Sequence, residues 1–165
     1  MEEIKKLVNG VKIFNIFFTL FTLAPITLLA STIGEIKLKA GASLSNTYIW
    51  DGKAIKPKAG GRLGDTWVFD GRELKPKAGA TLKNTYVWDG KELKPKSGAT
   101  LSNTYTWDGR ELKPKSKARL SNTWVFDGKE WKLKSKTTLK NTWIINGSIP
   151  VPVCALIIFG IKDNY

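Results

Sequence analysis

"NTYVWDGKELKPKSGATLS" (residues 84–102) is followed without a break by "NTYTWDGRELKPKSKARLS" (residues 103–121). The same 19-residue spacing runs through most of the chain. Asp51, Asp70, Asp89, Asp108 and Asp127 keep it, Asn146 takes the sixth place, and a glycine follows each. Leu44, Leu63, Leu82, Leu101, Leu120 and Leu139 keep it as well. So do the aromatic pairs before the turn, from Tyr48/Trp50 to Trp124/Phe126, with Trp143 opening a sixth. Self-similarity at a fixed short period is the mark of a stacked array in which each unit buries its apolar face against its neighbours.

Asp-Gly between two alternating runs is the strongest short-range hairpin signal, because a type I′ turn needs positive φ at both central residues. A two-residue loop at Asp89-Gly90 sets Trp88 opposite Lys91, Val87 opposite Glu92 and Tyr86 opposite Leu93. Tyr86, Trp88, Lys91 and Leu93 then share the face to be buried, with the Lys91 stem laid over a ring. Thr85, Val87, Glu92 and Lys94 share the other face. Pro57, Pro76, Pro95 and Pro114 lie just beyond the paired region and should end each second strand, since proline donates nothing to a ladder. Helices do not compete, given the glycines, prolines, β-branched and aromatic residues in every unit.

The expected fold is therefore all-β: 19-residue hairpin repeats stacked as a meander or a β-solenoid, with an N-terminal apolar helix and a short apolar C-terminal segment. The boundaries are a leader at 1–34, a six-copy array at 35–148 and a tail at 149–165. The first and last copies, "IKLK" at 36–39 and "WKLK" at 131–134, carry leucine where the inner copies carry proline, as terminal repeats of an array often differ. Open array ends favour end-to-end or lateral self-association.

The chain carries 27 Lys+Arg against 14 Asp+Glu, a net charge of +13, which favours polyanions as partners. Its basic residues fall into columns. Two of them, Lys56/Lys75/Lys94/Lys113/Lys132 and Lys58/Lys77/Lys96/Lys115/Lys134, are candidate contacts for a nucleic acid or an acidic glycan, acting through charge alone. They also suit a solubilising surface that guards strand edges. Trp50, Trp67, Trp88, Trp107 and Trp124 are either the core of a thin array or a row on which sugars or bases stack. The turn aspartates serve backbone conformation and the glutamates face lysines, so neither reads as catalytic. With no histidine and one cysteine, Cys154 in an apolar run, the chain points to no disulfide, metal centre, cofactor, small-molecule substrate or enzymatic chemistry.

Two uncharged stretches flank the array. Ile13 to Gly34, behind Lys5, Lys6 and Lys12, has about the 20 residues a membrane helix needs, and it also fits a secretory signal ending near Ala30 and Ser31. The tail run "IPVPVCALIIFGI" (149–161) fits a core, interfacial or partner-binding segment, or a tilted insertion. Asn146-Gly147-Ser148 matches a glycosylation sequon.

In architecture the array resembles membrane-occupation hairpin repeats and the aromatic repeats of choline-binding wall modules, without the "YEGEW" or "GKWYYF" motifs of either. In motif, "NTWVFDGKEWKLK" and "NTYVWDGKELKPKSGAT" resemble tandem repeats of small phage- or prophage-encoded proteins that end in an apolar "P-x-P" tail. That resemblance covers about residues 35–161. It implies a structural role in a virion or bacterial envelope and transfers no functional residue. With the apolar leader and tail and the open array ends, the expected protein is a non-enzymatic, membrane-associated, self-associating one, or a secreted one if the leader is cleaved. The alternative is a polyanion- or glycan-binding repeat module.

Overall fold

The computed structural model describes residues 34–165. The leader and its expected helix lie outside the described residues. The first strand, β1 (Gly34–Leu38), is followed by four hairpins: β2–β3 (Tyr48–Trp50, Ala54–Pro57), β4–β5 (Trp67–Phe69, Glu73–Pro76), β6–β7 (Tyr86–Trp88, Glu92–Pro95) and β8–β9 (Tyr105–Trp107, Glu111–Pro114). A fifth, β10–β11 (Trp124–Phe126, Glu130–Leu133), leads to β12 (Trp143–Asn146) and the helix α1 (Val151–Ile158).

The twelve antiparallel strands close into a barrel in which β1 pairs with both β2 and β12. Of the two architectures expected, the chain takes the meander, and it curls until the ends meet. The sixth hairpin is thus split between the two ends of the array. Ile145 faces Ile36 and Trp143 faces Leu38 across β12–β1, as Trp88 faces Leu93 and Tyr86 faces Pro95 inside a continuous hairpin. The open ends expected from the sequence are absent, and with them the route to association by strand addition.

The turn sits one residue later than expected, so each partner on the second strand shifts by two residues and the two faces are kept. Gly90, not Asp89, is the first central residue of the turn: its φ is +96°, while Lys91 has negative φ, the sign pattern of a type II′ turn. Asp89 instead closes the turn from outside. Its backbone N–H donates to the Glu92 carbonyl at 3.3 Å, and its Oδ1 accepts from the Lys91 and Glu92 N–H groups at 2.9 and 2.7 Å. Trp88 therefore faces Leu93, Val87 faces Lys94 and Tyr86 faces Pro95. The expected inward set survives except for Lys91, which is exposed in the turn. The prolines end β3, β5, β7 and β9 as expected, and Leu38 and Leu133 hold the same place in β1 and β11.

The lumen is filled. About eight strands make a barrel that its own side chains can fill, and a larger one leaves internal space. Here α1 occupies it. Its sequence, VPVCALII, is apolar on every side, so only surroundings on every side can satisfy it. Pro152 through Ile158 are all buried, and Val153 through Ile158 join one core with Ile36, Ile55, Leu74, Leu93, Leu112 and Trp131 from the wall. Phe159 lies 4.4 Å from Tyr105 between ring centroids, and Phe126 stacks on Trp131 at 4.8 Å. Of the roles the tail's sequence left open, the structure shows the core segment: α1 is the core of its own barrel rather than a hold on a bilayer or partner.

The chain enters the lumen beside Gly34, where an added Cβ would clash with the Ile149 side chain. It leaves at the other rim, where Gly160, in left-handed conformation, ends the helix. There the Tyr165 hydroxyl donates to the Lys83 carbonyl and lies 3.1 Å from the Tyr86 hydroxyl. The two rims are thus distinct: one carries the Asp-Gly turns and the N-terminal entry, the other the long loops and the C-terminus.

Candidate functional site

Five of the six long loops are built by the same contacts, and the other keeps the acceptor half of them with Asp65 in place of asparagine. Asn84 Oδ1 accepts from the Thr81 N–H at 2.6 Å and its Nδ2 donates to the Gly79 carbonyl. The buried Thr85 hydroxyl donates to the Thr81 carbonyl at 2.7 Å. Asn103-Thr104, Asn122-Thr123 and Asn141-Thr142 repeat the arrangement. This explains the recurrent "NT" and why Thr85, expected on the outer face, is buried.

With its polar groups tied inward, each loop presents one leucine outward. Leu44, Leu63, Leu82, Leu101, Leu120 and Leu139 are 57–62% exposed, against complete burial of Leu74, Leu93 and Leu112 in the wall. Their backbones are held. The Leu82 carbonyl accepts from the Ser97 N–H at 3.0 Å, and the Leu139 carbonyl accepts from the Ala40 N–H at 3.1 Å across the seam. The result is a ring of six apolar side chains on a preorganised rim. The sequence signal was present, a leucine at a fixed place in an otherwise polar loop, but its exposure follows only from the loop's internal bonds.

The wall between the rims is an ion-pair belt. Glu73 receives Lys96 at 2.5 Å and Lys75 at 3.2 Å, and these two contacts, Lys96 first, hold its carboxyl below the ordinary range. Lys115–Glu92, Lys134–Glu111, Lys58–Glu35 and Lys39–Glu130 repeat the longer link at 2.5 to 2.8 Å. Lys94, Lys113 and Lys132 each approach the glutamate two residues before them. Of the ten candidate lysines, Lys56 and Lys77 have no carboxylate within 4 Å among the described residues, because Ala54 stands in the glutamate column. Lys56 still acts at longer range on Asp51. Strands of three to five residues with this charged outer face lack the length and apolar band of a membrane-spanning wall.

The five candidate tryptophans point inward. Trp50, Trp67 and Trp124 are buried, and Trp88 and Trp107 are half-buried at the turn rim, where Lys91 and Trp107 line a shallow hollow. At the leucine rim a cavity of about 350 Å³ opens between Ser45, Gly60, Asp65, Trp67 and Tyr165. Lys162 borders it, its Nζ 5.5 Å from the Tyr48 ring centroid.

Charge divides the rims. The turns alternate Asp with Lys or Arg and roughly cancel, whereas the six loops carry many basic residues and one acid, Asp65. Lys117, Arg119, Lys136 and Lys140, on two adjacent loops, have no carboxylate within 4 Å among the described residues. No family model, no curated protein and no solved structure matches the chain. Among the described residues no helix is long and apolar enough to cross a membrane.

Proposed function

We propose that this chain is a non-enzymatic, membrane-associated structural protein of a bacterial envelope or phage particle, in which the leader holds a rigid barrel head against a bilayer. The observation that carries the reading is the junction at Gly34. That residue ends the apolar run of the leader and begins β1, so no linker separates the barrel from wherever the leader resides. The plugged lumen supports a mechanical rather than a transport role, since α1 occupies the space a solute would need. The acids have structural tasks: Asp89 and its equivalents cap turns, and the glutamates sit in the belt.

The alternative of a polyanion-binding wall is weakened by the belt, which leaves few of the column lysines uncompensated. The test is extraction of membranes from cells expressing the full chain. Retention in the pellet through alkaline carbonate, with release when Phe17, Phe18 and Leu20 are changed together to serine, is the expected result. Release of the unaltered chain by carbonate would remove the leader as an anchor.

A further inference from the structure

We infer that the leucine rim is a docking face for an anionic lipid surface, engaging a bilayer on the side of the barrel opposite the leader. The inference extends the reading above but rests on the rim alone. Six leucines, one per loop, stand 57–62% exposed around one end of the barrel. Isolated exposed leucines are ordinary on protein surfaces, but here every loop of one rim exposes the same apolar residue. Between them the loops carry Lys117, Arg119, Lys136 and Lys140 with no carboxylate within 4 Å among the described residues, and Lys83 beside the C-terminal Tyr165.

Apolar side chains amid basic ones are what an anionic interface recognises: the leucines enter the acyl boundary while the cations stay at the headgroups. Other occupants fit less well. A second copy docked rim to rim would oppose two basic faces, and the turn rim offers no net negative charge to receive one. A nucleic acid would satisfy the cations but leave the leucine ring in water.

The full chain, carrying Leu101→Cys labelled with an environment-sensitive dye, is placed in neutral phosphatidylcholine nanodiscs so that the leader is already accommodated. Cys154 is wholly buried and does not compete for label. Vesicles bearing a bilayer-confined quencher are then added. With about 30% phosphatidylglycerol the dye at residue 101 should blue-shift and be quenched, about tenfold more strongly than with phosphatidylcholine alone, and raised salt should reverse this. A dye at Lys91→Cys on the turn rim should not respond.

Changing the other five rim leucines to serine should abolish quenching while thermal unfolding stays near that of the parent. The inference is overturned if residue 101 is not quenched, if neutral vesicles quench it equally, or if residue 91 responds as strongly. It is also overturned if the dye at 101 shifts with protein concentration before vesicles are added, which would make a second copy the occupant. Failure to enter nanodiscs would count against the leader alone, and the vesicle measurement on the free chain would still decide the rim.

Discussion

Lys39 Nζ lies 2.8 Å from Glu130 Oε1, across 91 residues of sequence. It repeats at the seam the contact that Lys96 makes with Glu73. Lys39 also donates its backbone N–H to Thr142 O at 2.8 Å, as Lys96 does to Thr85 O at 2.7 Å. The seam is therefore another repeat interface, chemically equivalent to those along the chain.

The belt has one vacancy in its pattern, at Ala54. Ala54→Glu would give Lys56 and Lys77 the carboxylate that the other units possess. Exposed pairs contribute little singly, so a gain of about 0.3–1 kcal/mol is expected, shrinking at high salt. Lys77→Ala should be neutral in the parent and destabilising in the Ala54→Glu background. A denaturant-unfolding cycle on these four proteins measures the difference.

The plug should dominate stability. Leu156 is fully buried, and Leu156→Ala is expected to cost about 2–5 kcal/mol through lost contacts and the cavity left behind. Cys154 offers a direct reading: burial pushes its thiol up to about 12, so it should resist thiol reagents until α1 is released. Labelling in the parent should be slow, and markedly faster in Leu156→Ala.

Two loops carry a removable strain. Lys117 and Lys136 adopt φ of 55° and 57°, at the position held by glycine in the other four loops. Left-handed backbone costs a non-glycine residue about 1–2 kcal/mol, part of which the extra chain entropy of glycine offsets. Lys117→Gly and Lys136→Gly should each stabilise by about 0.5–1 kcal/mol. Gly98→Ala should do the reverse, read from the same melts.

Acid should weaken the barrel. Lys132 beside Asp127 draws its carboxyl down to about 2, from an ordinary 3.8, and Glu73, Glu111 and Glu130 are likewise held low, each by its lysine partners. A depressed carboxyl stabilises the fold above its unfolded pKa and loses that contribution as pH falls through the folded one. The melting temperature should be flat above about pH 5 and decline toward about pH 2, more gently in Lys132→Ala.

The repeat, the hairpins, the inward aromatics and the strand-ending prolines were all legible, because each rests on local chemistry: turn residues, alternation of period two, a missing N–H. The register was misjudged because Asp-Gly suits two turns. Asp89 uses its carboxylate to cap the turn and leaves Gly90 the first central place. Closure was not legible, since no residue within a repeat states how many neighbours complete a circle. The half-units at 36–39 and 143–146 are its only trace. The tail's role stayed open between core and membrane for a physical reason: a helix wrapped by a protein wall and one wrapped by lipid both need apolar residues all round. The leucine ring escaped notice because spacing does not reveal which way a loop side chain points.

Near-identical tandem units invite unequal exchange, which adds or deletes whole copies, and an open stack would tolerate either. A barrel wound around α1 does not. Removing one unit takes out two strands, about 9.6 Å of circumference and roughly 3 Å of diameter, from a wall fitted to a helix about 10 Å across. Adding one leaves a gap of the same size. The helix inside the barrel is thus a gauge for copy number, holding the chain at six units while the sequence of each remains free to drift.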